Sequence, residues 1–486
     1  MSSTYFRLFP AIIAMVSFAA FAQDEGPAVT RADLAAAYQR VDGAFQKSEL
    51  PGEEIASLNK DFDTATLAFF QRKYGEAIKT INSVGTRLLG AKSEGHISTD
   101  LMAFRVLLDP PVYVNEKKPK LGATIETLYP PDNAFDQEKL SVLLLREGTK
   151  EPVREFTFEI VANAGTPVKM TMTHTESESI PEERYAVVLR TAQGDIAAGN
   201  YTVVEKSLDE ARAGFIKALE GIKAGAPELE QALASAKARA NLLSDTPSPE
   251  NTAQIVLNPI RLSQEIQAEI ATIEKGNDPF KDRRGDHWRV IHTADKDIPA
   301  RVYLPASADL SKPLALVVAF HGAGVDENVF MDGYGAGVIK SLADARGFLV
   351  VAPLTYDFNT NTGERFDALI DAMALAYPID RERVYVLGHS MGGMMTASLV
   401  GLRPGTIRAA ACLCGFRGFG TETKTPPTLV VATEFDPLAQ AKGVESAFDA
   451  AKAAGHNVEY KFMPNYGHTL VVGKVLPSTI DWLFAH

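Results

Sequence analysis

The sequence predicts an α/β protein in which a doubly wound α/β domain over residues 278–486 follows helical segments and a small β-sandwich. After about Asp286, short continuous apolar runs alternate with amphipathic segments, as expected for a parallel sheet covered by helices on both faces. Between residues 101 and 206 the apolar residues recur with a period of two, which indicates strands. On either side of that stretch they recur at helical spacing.

Residues 1–22 have the pattern of a signal peptide. Arg7 precedes an apolar run from Leu8 to Phe21, and the small-x-small sequence ending at Ala22 predicts cleavage after that residue. A membrane anchor is the alternative, but the run is shorter than the roughly 20 residues that span a bilayer and contains Pro10. We therefore expect export to the periplasm or the exterior, with no membrane span in the mature protein.

Composition limits the class of protein. A chain of 486 residues is long enough for several domains. The apolar share of 46% and the charged share of 23% are typical of a folded globular protein. A net charge of −12 without a cluster of Lys and Arg argues against nucleic acid or anionic lipid as a partner.

Residues 23–100 are predicted to form a helical region. Two apolar stripes at helical spacing, separated by Pro51-Gly52, support a hairpin or small bundle: Leu34, Tyr38, Val41 and Phe45, then Ile55, Leu58, Phe62 and Phe69. Residues 101–206 follow as the β-sandwich. Residues 207–277 are predicted to be a helical hairpin and linker. Those helices either pack back on the first helices, which makes the β region an insertion, or form an independent unit.

Six short apolar or β-branched runs predict the strands of the α/β domain: Leu314–Phe320, Phe348–Ala352, Val384–Leu387, Ile407–Cys414, Leu429–Ala432 and Val458–Phe462. One predicted helix ends at Gly347 and another begins at a Thr362 cap. The only two cysteines, Cys412 and Cys414, stand two apart, so alternation along a strand places both on one face. Bridging them would strain a disulfide, and we expect two packed thiols.

The sequence Gly388-His389-Ser390-Met391-Gly392 follows a predicted strand and precedes a predicted helix. This is the setting of a G-x-S-x-G nucleophile elbow, so Ser390 is the candidate nucleophile. A sharp strand-to-helix turn crowds its neighbours, which is why Gly388 and Gly392 are needed beside a strained serine. His389 is expected to support the loop.

A second glycine-rich loop, His321-Gly322-Ala323-Gly324, follows the strand that ends at Phe320. Such a loop brings backbone N–H groups close to a reacting oxyanion. We predict Ala323 and Met391 as the donors, while a simple glycine turn is the alternative. His321, like His389, is expected to support its loop and not to act as a base.

A serine nucleophile needs a base and an orienting acid. His468 is the best-placed of nine histidines, because it lies in a loop just after the last predicted strand. Asp436 also follows a strand, and Glu434 is the rival acid two residues earlier. The order Ser390, Asp436, His468 is the serine-acid-histidine order of α/β-hydrolases and favours Asp436.

On these motifs, residues from about Arg301 to His486 resemble the α/β-hydrolase superfamily, in the branch of polyhydroxybutyrate depolymerase-like and feruloyl esterase-like enzymes. The stretches that carry the resemblance are 313–324, 380–393, 433–437 and 466–468. Prolyl-oligopeptidase-like peptidases and dienelactone hydrolase-like enzymes are similar in the same motifs. The chain lacks the many cysteines of secreted depolymerases, and its N-terminal half matches no family that we know.

The resemblance implies an acyl-enzyme on Ser390, with no metal or organic cofactor. It implies an ester substrate, either small or polymeric, such as a polyester or a plant polysaccharide ester. Two alternatives stay open at this stage. One is a prolyl-oligopeptidase-like serine peptidase, and the other is a polysaccharide- or partner-binding protein with a degenerate hydrolase domain.

The segment between Gly324 and Gly347 is expected to border the catalytic cleft. Phe330, Met331 and Tyr334 are the candidate substrate rim. The alternative for all three is a place in the hydrophobic core.

Overall fold

A computed structural model of the chain describes residues 27–90, 97–174, 179–421 and 423–486. The predicted signal peptide at residues 1–22 lies outside these described residues. Within them, no helix combines the length and the apolarity that a membrane span requires.

The first described region contains three helices: α1 (Arg31–Gln46), α2 (Gly52–Phe70) and α3 (Tyr74–Gly90). Helix α1 begins with a capping box, in which Thr30 and Asp33 each accept a hydrogen bond from the other's backbone N–H. The predicted apolar stripes bury Val41, Phe45 and Leu58 in one core. That core also contains Leu470, so the first helices pack against the last part of the chain.

In the described residues eight strands follow: β1 (Phe104–Asp109), β2 (Val112–Val114), β3 (Gly122–Thr127), β4 (Phe135–Leu145), β5 (Pro152–Ala162), β6 (Lys169–Thr173), β7 (Glu183–Thr191) and β8 (Gly194–Val204). They form a three-stranded sheet of order β1-β3-β6 and a five-stranded sheet of order β2-β8-β7-β4-β5. In β5 the alternation is clear, because Phe156, Phe158 and Ile160 are buried while Glu159 is exposed. Both sheets contribute to one core, so the region is a β-sandwich.

Four helices come next: α4 (Leu208–Glu220), α5 (Pro227–Ala240), α6 (Thr252–Val256) and α7 (Pro259–Ile273). Their core is shared with Trp288 and Val290 and is separate from the core of α1 to α3. Ser235 in α5 donates to the Val290 carbonyl (2.9 Å), and the buried Arg239 donates to that of Trp288 (2.6 Å). Helices α4, α5 and α7 therefore pack on the α/β domain and not back on the first helices.

The α/β domain contains eight strands: β9 (Gly285–His292), β10 (Asp297–Leu304), β11 (Leu314–Phe320), β12 (Leu349–Pro353), β13 (Ile379–His389), β14 (Ala409–Leu413), β15 (Thr428–Thr433) and β16 (Val458–Met463). Its helices are α8 (Val338–Arg346), α9 (Thr362–Ala376), α10 (Met391–Leu402), α11 (Ala441–Ala453) and α12 (Val471–Ala485). The sheet has the order β16-β15-β14-β13-β11-β12-β10-β9. Strands β11 to β16 are parallel, and β10 runs antiparallel to both of its neighbours, β12 and β9.

The two faces of this sheet bury separate cores, one with α9, α10 and α11 and the other with α8 and α12. The sheet is doubly wound, as predicted. All six predicted strands are present, while β9 and β10 were not predicted.

Two local predictions are wrong. Thr362 is the first residue of α9 and not its cap, because its hydroxyl donates back to the Phe358 carbonyl. Cys412 and Cys414 are buried and unpaired, but they lie in different cores. Strand β14 ends at Leu413, and Cys414 has a left-handed φ of 51°, which breaks the alternation.

Candidate active site

Ser390 lies between the end of β13 and the start of α10, with φ 55° and ψ −116°. Such a conformation is strained for a residue with a side chain and persists only when its surroundings fix it. The Ser390 N–H donates to the Leu413 carbonyl (2.8 Å). A Cβ on Gly388 would stand 2.1 Å from the Gly392 oxygen, and a Cβ on Gly392 would stand 1.9 Å from the Phe320 oxygen. Both motif glycines are therefore required by close backbone contacts.

A third glycine, Gly415, packs against this turn from another loop and stands in none of the predicted motifs. It follows β14, and a Cβ there would stand 2.0 Å from the Ser390 carbonyl oxygen. Since this neighbour is backbone, relief requires a shift of the elbow itself.

Gly415→Ala is expected to lower the midpoint of thermal unfolding by several degrees, because overpacking costs about 1–3 kcal/mol. The matched control is Gly443→Ala in α11, where no heavy atom lies within 4 Å of the added Cβ. An unfolding midpoint for Gly415→Ala equal to that of the control would contradict the contact.

His468 and Asp436 meet in the loops that follow β16 and β15. Nδ1 of His468 lies 2.6 Å from Oδ2 of Asp436, and both side chains are buried. Oδ1 of Asp436 accepts hydrogen bonds from the N–H groups of Leu438 (2.8 Å) and Ala439 (2.7 Å). Burial by itself raises the pKa of Asp436, but the bond and charge of His468 and the two N–H groups outweigh it, so the pKa is lowered. Asp436 is therefore held as a carboxylate hydrogen bonded to the His468 imidazole.

The rival acid, Glu434, does not face His468. Its side chain is exposed and accepts a hydrogen bond from the Asn465 N–H (2.8 Å). Within the described ranges, no group hydrogen bonds to Nε2 of His468. Ser390 and His468 both line the same cavity.

The two proposed oxyanion donors lie beside this serine. Ala323 lines the cavity, and Met391 begins α10, where the helix dipole favours negative charge. In the part of the chain that the structure describes, neither backbone N–H has a protein acceptor. A Cβ added to Gly322 would stand 3.3 Å from the Ser390 Cβ, so the loop after β11 directly contacts the serine turn. The N–H of Gly324 donates to the Tyr356 hydroxyl (2.6 Å), which anchors the loop just beyond Ala323.

His321 and His389 are held as neutral side chains. Nε2 of His321 accepts from the Thr355 N–H (2.9 Å), and burial lowers its pKa to about 4. Nε2 of His389 donates to the His468 carbonyl (2.9 Å), and Nδ1 accepts from the Tyr334 hydroxyl (2.7 Å). Burial lowers the pKa of His389 to about 3. Each imidazole therefore buttresses a loop and stays uncharged at neutral pH.

The predicted substrate rim is only partly placed at the cavity. Met331 and Tyr334 line it, although both are almost fully buried. Phe330 does not line the cavity, and its buried ring packs edge-on against Tyr334, with 5.0 Å between ring centroids. Phe330 is a core residue, and Tyr334 is fixed by its hydrogen bond to His389.

The cavity has a volume of about 970 Å³ and is lined by residues of both helical regions, the β-sandwich and the α/β domain. Helix α2 contributes Phe62, Phe69 and Phe70, and the sandwich contributes Leu107. Phe70 and Leu107 are 41% and 44% exposed, so the apolar surface continues to the mouth of the cavity. Within the described residues, no three His, Cys, Asp or Glu side chains are grouped so that they would hold a metal ion.

No family model matches the chain. Over 148 residues it is 31% identical to feruloyl esterase B of Thermothelomyces thermophilus. This match covers 27% of this chain and 49% of that protein. Over 141 residues it is 33% identical to a bifunctional acetylxylan esterase/xylanase of Neocallimastix patriciarum. This second match covers 28% of this chain and 20% of that protein. The chain thus spans about half the length of the feruloyl esterase and a fifth of the bifunctional protein.

Among solved structures, the feruloyl esterase module from Clostridium thermocellum covers 40% of this chain and 86% of that chain, at 15% identity and a TM-score of 0.35. The fold assignment rests instead on the order and direction of the eight strands of this chain. By that architecture residues 285–486 have the α/β-hydrolase fold, and over about a quarter of its length the chain is similar to feruloyl and acetylxylan esterases.

Proposed function

We propose that the protein is an exported serine hydrolase that cleaves carboxylic esters through an acyl-enzyme on Ser390. The observation that carries the proposal is that the strained Ser390 lines one cavity with His468, which is hydrogen bonded to Asp436. Within the described residues, the N–H groups of Ala323 and Met391 beside Ser390 have no protein acceptor. Such an arrangement suits acyl transfer, because it supplies a nucleophile, a base and an oxyanion site together.

In the first step, Nε2 of His468 takes the proton from Ser390 Oγ as Oγ bonds to the ester carbonyl carbon. The carbonyl oxygen becomes an oxyanion, which accepts hydrogen bonds from the N–H groups of Ala323 and Met391. Asp436 holds the imidazole in the tautomer that leaves Nε2 free and stabilises the imidazolium. His468 then gives its proton to the leaving alkoxide, and the alcohol departs from the acyl-enzyme.

In the second step, a water molecule loses a proton to His468 and attacks the acyl carbon. The same two N–H groups stabilise the second oxyanion. Its collapse breaks the bond to Ser390 Oγ, which recovers a proton from His468 as the carboxylic acid leaves. The proposal requires no metal or organic cofactor for either step.

The cavity walls and the relatives support a proposal for the substrate class. The aromatic side chains of Phe62, Phe69 and Phe70 give the cavity an apolar side, which suits an apolar or aromatic acyl group. Two relatives are named as a feruloyl esterase and an acetylxylan esterase. We therefore propose an ester of a plant polysaccharide or a polyester, or a smaller ester with a similar acyl group.

The test is a panel of acetyl, feruloyl and hydroxybutyrate esters, with matched dipeptidyl amides and a fluorophosphonate probe, on the purified full-length protein. We expect labelling at Ser390 and turnover of at least one ester class. Turnover of the amides without the esters would favour the peptidase. A folded protein that the probe does not label would overturn the proposal and favour a binding protein with a degenerate site.

A further inference from the structure

Helix α2 of the N-terminal region contacts the loop that contains His468. The Gly467 N–H donates to Oδ1 of Asn59 (3.0 Å), and the His468 N–H donates to Asp63, 3.0 Å from Oδ1 and 3.3 Å from Oδ2. Both side chains of α2 are buried, with Asn59 1% and Asp63 5% exposed. Two consecutive N–H groups of the catalytic loop are therefore held by side chains about 400 residues earlier in the sequence.

The contact leaves little freedom. A Cβ on Gly467 would stand 1.9 Å from Oδ2 of Asp63, so the loop approaches the carboxylate as closely as a glycine permits. Asn59 is itself oriented, because its Nδ2 donates to the Ile55 carbonyl (2.9 Å) and its oxygen must then face Gly467. Helix α2 thus fixes the backbone position of the histidine loop.

The hydrogen bonds to residues 467 and 468 do not by themselves explain why position 63 is an aspartate. Burial raises its pKa to about 7, against the opposing effects of the His468 N–H and the His468 charge, while the charge of Asp436 raises it further. Besides these groups, the buried thiol of Cys414 faces it. Across the described ranges, no Lys or Arg forms an ion pair with Asp63. An asparagine would accept the same hydrogen bond without the cost of burying a charge.

A negative charge beside the imidazole has a use in catalysis. When His468 takes the serine proton it becomes an imidazolium, and a second carboxylate next to it stabilises that state. Asp436 acts on the ring through Nδ1, and Asp63 acts on the backbone of the same residue.

We propose that Asp63 is a positioning residue of the catalytic site, so that the N-terminal helical region completes the histidine loop. It holds the His468 backbone and supplies a negative charge to the transition state. The inference rests on the proposed role of His468 as the base.

The test compares Asp63→Ala, Asp63→Asn and the matched control Asp61→Asn in the full-length protein with a short p-nitrophenyl ester. Asp61 is on the same helix, half-exposed and paired with Arg87. We expect Asp63→Ala to lower kcat by about 10- to 100-fold, the effect of losing a hydrogen bond to a charged group, with KM little changed. Asp63→Asn should recover part of kcat, and Asp61→Asn should retain all of it.

The pH dependence separates the charge from the packing. Below pH 7 the Asp63 carboxyl becomes neutral, like the amide of Asp63→Asn, and above pH 7 it is an anion. The ratio of wild-type to Asp63→Asn kcat should therefore rise as the pH is raised through about 7. A ratio that stays constant with pH, or an Asp63→Ala protein with wild-type kcat, would overturn the proposal.

The pH profile and one further variant, Ser390→Ala, keep the outcomes distinct. If Asp63→Ala does not fold, the isosteric Asp63→Asn variant decides through its pH profile. Retained activity in Ser390→Ala would instead remove the basis for His468 as the base. Loss of activity in Ser390→Ala together with wild-type behaviour of both Asp63 variants overturns the positioning role alone.

Discussion

Ser390→Ala is expected to lower the turnover of a short p-nitrophenyl ester by about a thousandfold or more. Alanine lacks Oγ, the atom that forms the acyl-enzyme in the proposed mechanism. Because residues of a triad act as a unit, the remaining groups cannot compensate. His468→Ala should cause a similar loss. Initial rates with excess ester, measured on protein whose thermal unfolding is unchanged, provide the test.

A matched control for this substitution is Ser341→Ala. Ser341 is an exposed serine of α8 whose hydroxyl donates only to the Val338 carbonyl within the described structure. It should keep wild-type turnover. Turnover in Ser390→Ala comparable to that of the control would show that another residue forms the covalent bond, and the assignment would fail.

Asp436→Asn is expected to lower kcat by about a thousandfold or more, although the side chain keeps its shape. Oδ1 accepts two backbone N–H bonds, from Leu438 and Ala439, so the oxygen of an asparagine must stay at that position. Its NH₂ then faces Nδ1 of His468, which must accept a hydrogen bond and carry its proton on Nε2. In that tautomer His468 cannot accept the serine proton.

Glu434→Gln is the control, because Glu434 is the rival acid. Its side chain is exposed and accepts a hydrogen bond from the Asn465 N–H. It should leave kcat within about twofold of wild type. If Glu434→Gln lost as much activity as Asp436→Asn, the identity of the orienting acid would have to be revised. The rate should be measured across a pH series, so that a shifted optimum is not mistaken for a lost group.

Four of the predicted strands of the α/β domain, β11, β12, β14 and β15, are apolar runs buried on both faces. Strands β9 and β10 lack such a run, because they carry His287, Arg289 and Arg301 at buried positions. Arg289 is stacked on Phe280, 4.6 Å from the ring centroid, and Arg301 pairs with Asp286 at 2.7 Å. Burial of these side chains depends on tertiary partners, which an apolar pattern does not reveal.

The candidate site divides in the same way. Ser390, Asp436 and His468 each stand in a short local motif after a strand, so they can be proposed from the sequence alone. The structure then places Ser390 and His468 at one cavity and Asp436 against His468. Asp63 and Asn59 have no such motif. They lie in an ordinary amphipathic helix, and only the fold places them against residues 467 and 468. Phe330 was predicted at the substrate rim and lies in the core instead, because a place in a loop near the cleft does not decide which way a ring points.

The contact between Gly467 and Asp63 also affects when, during synthesis and folding, the proposed catalytic site can form. A polypeptide is made from its N-terminus, so α2 exists about 400 residues before the loop that it holds. The histidine can take its working position only after the earliest and the latest segments have met. In the proposed mechanism, activity should therefore appear late in maturation. Proteolytic removal of the first helices should lower it even though Ser390, Asp436 and His468 all remain.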